Sequence, residues 1–248
     1  MKISIVTVCF NSVRSIADTL ASVDAQTHPD IEHLLIDGAS RDGTMNVIGA
    51  HARKWRRAIS EPDRGIYDAM NKGLAQATGE FVGFLNADDT LVDPDAIARL
   101  AEAATNTTCD ALYSDVEYVR ANDVAEVVRH WRSGNFSRDR LARGWMPPHP
   151  TFYVRRALLA SVGRFDADMR IAGDYDFMLR VLTRPSVSLV HVPGVMVRMR
   201  MGGASNRSPA ALWRKSVEDL IALRRNRVGG LGTLVCKNLR KLPQFVAR

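Results

Sequence analysis

The sequence predicts an α/β protein: an open, mostly parallel sheet with helices on both faces, followed by a basic helical tail. Three observations predict it. Short apolar runs of strand length alternate with segments whose apolar residues recur at helical spacing. The first four runs lead into loops rich in Asn, Asp, Gly or Ser, the chemistry of a strand-to-helix turn. No repeat, low-complexity stretch or Gly/Ser/Pro linker divides the chain before about residue 203.

The elements follow in order. Ile3 to Val8 is a near-continuous apolar run and reads as a buried parallel strand. Asn11-Ser12 cap a helix that carries Ile16, Leu20 and Val23. Glu32 to Ile36 is the second strand, and Asp37 to Thr44 form a loop and cap for a helix reaching about Lys54. A third strand at about Arg57 to Ser60 precedes a helix from about Gly65 to Gln76, and Glu80 to Leu85 is the fourth strand. After Asn86-Ala87-Asp88-Asp89 a helix begins at Pro94, where proline suits the first turn. Asp110 to Tyr118 and Val124 to Trp131 read as strands, residues 134–150 as mostly loop, and Phe177, Leu179, Val181 and Leu182 mark a late helix. The expected division is one domain over residues 1–206 and a tail over 207–248.

Composition narrows the class. With 248 residues, 46% hydrophobic and 25% charged, the chain is ordinary globular material, which excludes disordered, collagen-like and coiled-coil classes. No apolar run approaches the roughly 18 to 20 residues of a membrane-spanning helix. The N-terminus lacks the long apolar run and small-residue cleavage site of a signal peptide, so a cytoplasmic protein is expected. Cys9, Cys109 and Cys236 are too far apart for a Cys-x-x-Cys metal site and read as reduced, mostly buried thiols. The net charge of +7 resides in the tail, where ten Lys+Arg face two Asp+Glu. Nucleic acid is a poor partner for it, since Trp213 and Phe245 are its only aromatics and no zinc-finger or RNP pattern accompanies them. Leu212, Trp213, Val217, Leu220 and Ile221 interleave with Arg214, Lys215, Arg224 and Arg225, which suits an amphipathic helix on an anionic membrane surface or one packed on its own domain.

In an open α/β sheet, ligands gather beyond the carboxyl ends of the strands. That rim comprises Thr7 to Asn11, Asp37 to Asp42, Glu61 to Arg64 and Asn86 to Asp89, and acidic residues dominate it. There is no G-x-G-x-x-G after the first strand and no G-x-x-x-x-G-K-[ST] anywhere; Gly230-Leu231-Gly232 lies in the tail, outside any βαβ unit. Such a rim repels a nucleoside diphosphate unless a divalent metal bridges the two, so nucleotide chemistry here implies Mg²⁺ or Mn²⁺.

Five blocks in order carry a resemblance: Ile3 to Asn11, Ile36 to Thr44, Glu61 to Gly73, Gly79 to Asp89, and Gly173-Asp174-Tyr175-Asp176-Phe177. Together they resemble the inverting glycosyltransferases of family 2, whose GT-A fold is a Rossmann-like sheet, and in particular enzymes of bacterial exopolysaccharides and lipid-linked glycans. The resemblance implies that Asp37 bonds the nucleobase, with Thr7 and Asn11 lining the same pocket and Asp63 near base and ribose. It implies that Arg64 and Lys72 approach phosphate. Asn86-Ala87-Asp88 occupies the family's metal motif, normally Asp-x-Asp, which makes Asp88 the metal ligand. Asn86 is a departure, since an amide oxygen can ligate Mg²⁺ or Mn²⁺ but brings no charge. The other Asp-x-Asp triplets, Asp93 to Asp95 and Asp166 to Asp168, follow no apolar strand and are incidental.

By the same resemblance Asp174 is the base that deprotonates the acceptor hydroxyl. Asp176 competes for that role or serves as an N-terminal helix carboxylate. His149, in a proline-stiffened loop, stands near acceptor or phosphates or is structural. The family's late histidine is missing from Val197 to Ser205; Arg200 takes its place on the leaving diphosphate, and Gly202-Gly203 lets a loop close over the donor. Trp145 stacks on an acceptor sugar or belongs to the core. The expected function is metal-dependent inverting transfer, of hexosyl type, from a nucleotide-sugar to a hydroxyl of a glycan or lipid-linked acceptor in cell-surface polysaccharide biosynthesis, at the inner membrane face. Two alternatives remain. A nucleotidyltransferase acting on sugar phosphates lacks its glycine-rich, Arg/Lys-bearing loop near residue 10. A catalytically inactive nucleotide-sugar-binding or scaffold protein is suggested by Asn86 and the missing histidine.

Overall fold

A computed structural model describes residues 1–121, 123–202 and 209–240. One nine-stranded sheet runs in the order β3-β2-β1-β4-β8-β6-β9-β5, with β7 on the flank of β6. The strands are β1 (Ile3–Cys9), β2 (Ile31–Asp37), β3 (Arg56–Ser60), β4 (Phe81–Phe84), β5 (Thr90–Leu91), β6 (Ala111–Arg120), β7 (Asp123–Trp131), β8 (Tyr153–Arg155) and β9 (Leu189–Arg200). Parallel ladders join β1 to β2 from Ile3↔Ile31 to Cys9↔Asp37, β1 to β4, β2 to β3, and β6 to β9, while β7 runs antiparallel to β6 from Val116↔Trp131 to Arg120↔Asp123. Because β1, β2 and β3 run in register, Cys9, Asp37 and Ser60 end side by side on one rim.

Helices cover both faces, as expected. They are α1 (Ile16–Asp24), α2 (Thr44–Ala50), α3 (Ile66–Gln76), α4 (Ala96–Asn106), α5 (Arg138–Ala142), α6 (Leu159–Val162), α7 (Gly173–Leu182), α8 (Pro209–Arg225) and α9 (Leu231–Leu239). Alternation along β1 divides the core. Val6 and Val8 pack with Tyr67, Met70 and Leu74 of α3 and with Phe177 and Leu179 of α7. Ile3 and Ile5 pack with Ile97 and Leu100 of α4 on the other side, where Cys9 and Leu35 also meet Ile16 and Leu20 of α1. No helix among the described residues is long and apolar enough to cross a membrane.

Several expectations need correction. The helix after Asp37 ends at Ala50, not near Lys54, and the one placed at Pro94 starts at Ala96, Pro94 giving its carbonyl to Thr27. Cys236 is exposed, although Cys9 and Cys109 are buried. Residues 134–150 hold the short α5. Strand β9 was not expected, because Pro193-Gly194 in its middle reads as a turn. The ladder absorbs that pair as a bulge: the register jumps from Tyr113↔His191 to Asp115↔Val195, Gly194 takes φ 101°, and Ser114 Oγ donates to the carbonyls of Val192 and Gly194.

Of the two placements expected for the tail helix, packing on its own domain is seen among the described residues. Ala222 and Leu223 of α8 and Leu234 of α9 are buried in the same cluster as α3 and α7. Glu218 and Asp219 are buried as well, so α8 and α9 pack against the rest of the sheet-and-helix domain.

Candidate active site

The rim is stitched by side chains before any ligand is considered. Asp37, fully buried, accepts the Ser40 N–H at 2.9 Å and the hydroxyls of Ser40 and Ser60, and the Cys9 thiol lies 3.6 Å away. Ser40 Oγ accepts the Asn11 N–H at 2.7 Å, while Asn11 Oδ1 accepts the Arg41 N–H at 3.0 Å. Asn11 (φ 51°) and Ala39 (φ 60°) both occupy the left-handed region. Asp42 accepts from the Thr44 hydroxyl and N–H and from the Val13 N–H, and these bonds hold its carboxyl below the usual range. The loops after β1 and β2 are thus one fixed unit.

Asp63 stands opposite this unit. Its Oδ1 accepts the Gly65 N–H at 2.8 Å, and a Cβ added to Gly38 would lie 2.5 Å from its Oδ2 and 3.2 Å from the Phe10 ring. Phe10 is 64% exposed, a large aromatic face beside Gly38 and Asp63. Sequence reasoning passed over it because it reads as the last apolar residue of the first strand. Thr7 lies beneath the rim rather than on it. Fully buried, it receives a hydrogen bond from His33 Nε2 at 3.0 Å, because His33 Nδ1 accepts from Arg56 Nε at 3.1 Å. Arg56 in turn reaches Asp24 at 2.7 Å. Lys72 braces the loop from outside, donating to the Pro62 carbonyl at 2.7 Å and pairing with Glu61 at 2.8 Å. Arg64 has a 76% exposed side chain, 3.6 Å from Asp68.

The turn after β4 holds Asn86-Ala87-Asp88, the stretch expected to bind metal. Asn86 Nδ2 donates to Asp89 Oδ2 at 3.0 Å, which turns Asn86 Oδ1 the other way. Asp88 is half-buried. Burial and the neighbouring Asp88 push the Asp89 carboxyl well above the carboxylate range, opposed by Asn86 and by the N–H and guanidinium of Arg200. Arg200, the last residue of β9, therefore stands against this turn, with its guanidinium also on Asp18. No group of three His, Cys, Asp or Glu among the described residues forms a metal cage. An all-oxygen set of Asp88 and Asn86 fits Mg²⁺ or Mn²⁺, which commonly bind through one or two carboxylates and complete their shell with substrate phosphates and water.

Asp174 faces a cleft of about 820 Å³ that Trp145, His149, Arg200, Lys215 and Lys237 also line. Its Oδ1 accepts the Tyr67 hydroxyl at 3.2 Å and the Tyr175 N–H at 2.8 Å. Burial, reinforced by Asp174, pushes the Tyr67 phenol far above its usual range, so it remains a donor. Gly173 permits this approach, since a Cβ there would lie 2.8 Å from the Tyr67 ring. Asp176 is not a rival base: it is buried, ion-paired with Arg180 at 3.0 Å and bonded by Asn226 at 3.0 Å. His149 is 9% exposed, stacks on Phe84, and its Nε2 has no partner among the described residues. Burial pulls its imidazole below the usual range, Asp174 opposing. Trp145 is a core residue whose edge reaches the cleft; its Nε1 donates to the Ser133 carbonyl at 2.8 Å. Of the Gly202-Gly203 loop, Gly203 lies outside the described residues.

The rim loops and the turn after the fourth strand lie within the stretch of chain that matches one protein family. Its model, described as glycosyl transferase family 2, covers residues 4–163. The chain belongs to that family. Among its relatives is the PGL/p-HBAD biosynthesis glycosyltransferase of Mycobacterium bovis BCG, 31% identical over 208 residues that make up 82% of this chain and 78% of the relative. An uncharacterized glycosyltransferase of Mycobacterium tuberculosis is 32% identical over 219 residues, 85% of this chain and 80% of the other.

Solved structures share the GT-A fold of this family 2 glycosyltransferase. Staphylococcus aureus TarS 1–349 in complex with UDP-GlcNAc superposes with a TM-score of 0.69 at 19% identity, over 99% of this chain and 79% of that one. Against a longer TarS chain the coverage is 40% of the length. The Pyrobaculum calidifontis mannosyltransferase PcManGT, in complex with GDP-Man and Mn²⁺, gives a TM-score of 0.67 at 20% identity, over 99% and 73%.

Proposed function

We propose that this family 2 glycosyltransferase is metal-dependent and inverting, moving a hexosyl group from a nucleotide-sugar donor to a hydroxyl of a glycan or lipid-linked acceptor in cell-surface polysaccharide biosynthesis. The observation that carries the reading is Asp174, held by Tyr67 and Tyr175 N–H at the start of α7 and open to the cleft shared with His149 and Arg200.

In this reading the acceptor hydroxyl loses its proton to the Asp174 carboxylate as its oxygen forms a bond to the anomeric carbon. The bond from that carbon to the diphosphate oxygen breaks, and its electron pair leaves with the nucleoside diphosphate. Attack from the face opposite the leaving group inverts the configuration. Asp88 and Asn86 Oδ1 would hold a divalent ion, which would offset the charge of the diphosphate. Arg200, poised against Asp89, adds fixed positive charge on the same side. Phe10 offers a stacking face to the nucleobase, with Asp63 and Asn11 around it and Asp37 beneath, holding Ser40 and Ser60. Arg64 is the cation of the rim best placed to reach outward, whereas Lys72 stabilises the loop. The donors and Mn²⁺ in the TarS and PcManGT complexes support a nucleotide-sugar and a divalent metal.

Calorimetric titration with UDP-, GDP- and dTDP-sugars, with and without Mn²⁺, on the native chain and on Asp88→Ala, tests the reading. Metal-dependent binding of one donor, lost in Asp88→Ala, is expected. Proton NMR of the product then reports the anomeric configuration, and a retained configuration would rule out the single displacement. Donor binding with neither transfer nor hydrolysis would favour the inactive scaffold.

A further inference from the structure

Helices α8 and α9 are amphipathic in an unusual sense: charged side chains, Glu218 and Asp219 of α8 and Lys237 of α9, are buried, while an apolar stripe on each helix faces outward. Glu218 and Asp219 are buried, as are Ala222, Leu223, Leu234 and Lys237. Trp213, Val217 and Ile221 on α8 are all exposed, Trp213 by 74%. Leu231, Val235 and Leu239 on α9 repeat the same i, i+4, i+8 spacing and are exposed too. At 3.6 residues per turn each stripe lies roughly 150 to 170° around its helix from the buried residues, so neither apolar row belongs to the core.

Charge on this surface is mostly positive, Arg225 being paired with Asp166 at 2.7 Å. Arg214, Arg224, Arg225, Arg227 and Arg240 are exposed, and the two acidic residues of the 209–240 segment are the buried pair, each engaged internally. Glu218 takes the N–H groups of Arg170, Ile171 and Ala172; Asp219 takes the ammonium groups of Lys215 at 3.1 Å and Lys237 at 2.7 Å.

We propose that the outer face of the α8–α9 pair is the seat of an anionic lipid bilayer. Apolar rows flanked by arginines match the interfacial region, where the side chains enter the acyl boundary and the free guanidinium groups meet lipid phosphates. A second copy of the chain is the poorer occupant, because a two-fold contact would set this cationic patch against itself. The sequence pattern pointed to α8 alone; the α9 row and the inward carboxylates come from the structure. The inner sides of the same helices line the cleft through Lys215 and Lys237, so the docked bilayer lies alongside the cleft that Asp174 faces. This proposal stands apart from the transfer reaction and can fail without it.

The test is flotation of the full chain with vesicles of phosphatidylcholine alone and with one quarter phosphatidylglycerol. Flotation with the anionic vesicles only is expected, weakened in about 0.5 M salt as screening shortens to a few ångströms. Arg214→Gln with Arg224→Gln should lower partitioning about fivefold for each arginine removed. Val217→Ser with Val235→Ser should lower it as well. A vesicle-induced blue shift of tryptophan emission should vanish in Trp213→Phe. Circular dichroism and donor titration establish that each variant is folded. Absence of flotation with anionic vesicles, or flotation unchanged in both double variants, overturns the proposal. So does a dimer in sedimentation velocity that Val217→Ser with Val235→Ser dissociates, since a second copy would then cover the face.

Discussion

Glu218 Oε2 accepts the backbone N–H of Ala172 at 2.9 Å. The same oxygen takes the Ile171 N–H at 2.8 Å, and the Arg170 N–H lies 3.1 and 3.2 Å from the two carboxylate oxygens. A carboxylate from α8 thus satisfies the amides that lead into α7 and complements the positive end of that helix, whose second residue is Asp174.

Glu218→Ala strips a partner from three consecutive amides and should cost about 2 to 4 kcal/mol of stability, measured by urea denaturation. Glu218→Gln keeps an acceptor oxygen and should cost about 1 kcal/mol. Deleting everything after residue 206 should go further and abolish cooperative unfolding, because Ala222, Leu223 and Leu234 leave the core with it.

Asp174→Asn should reduce turnover by about 10² to 10⁴, with donor affinity measured by calorimetry unchanged. Tyr67→Phe removes the hydroxyl that fixes Oδ1 and should lower kcat about tenfold at unchanged donor KM, as a positioning residue does. Equal losses in kcat and in donor binding would instead place both side chains in the donor pocket.

Gly38→Ala should act on the donor alone. Its new Cβ would press on Asp63 Oδ2 and the Phe10 ring, the two groups assigned to the nucleobase end. Donor Kd should rise about tenfold while the unfolding midpoint moves by less than about 1 kcal/mol equivalent. An unchanged Kd in the folded variant would remove Phe10 and Asp63 from the donor site.

His33 predicts an acid limb. Burial, with Arg56 nearby, pulls its pKa down to about 3, so the folded chain keeps it neutral while the unfolded chain protonates it near 6.5. Between those values the unfolded state binds the extra proton, so stability is full above about pH 6.5 and falls on acidification by about 1.4 kcal/mol per pH unit. Urea titrations at several pH values should show this slope, and His33→Gln should flatten it.

The βα grammar of the first half was legible because each strand there is an apolar run followed by polar caps, and the rim residues from Asn11 to Asp88 fall where that grammar places them. Asp174 was legible only through resemblance, since its partner Tyr67 is 107 residues away in sequence. Thr7 was misplaced for a physical reason: period-two alternation alone does not reveal that His33 and Arg56 fill the space on its side of the sheet. The tail was legible in part, since its amphipathic pattern left open whether it packs on the domain or on a membrane. Its composition does not show what fixes it: Glu218 reaches the amides before α7, while Asp219 ties α9 to α8 through Lys237.

The anchoring of α7 by α8 and α9 has a consequence for the order of synthesis. Domains gather from the N-terminus as the chain emerges from the ribosome. The donor rim, complete by residue 89, can form early; the amides before Asp174 wait for Glu218, and Asp219 waits for Lys237. In the proposed reading, a nascent chain can therefore hold its donor loops in place before the segment carrying Asp174, which waits for α8 and α9, is settled.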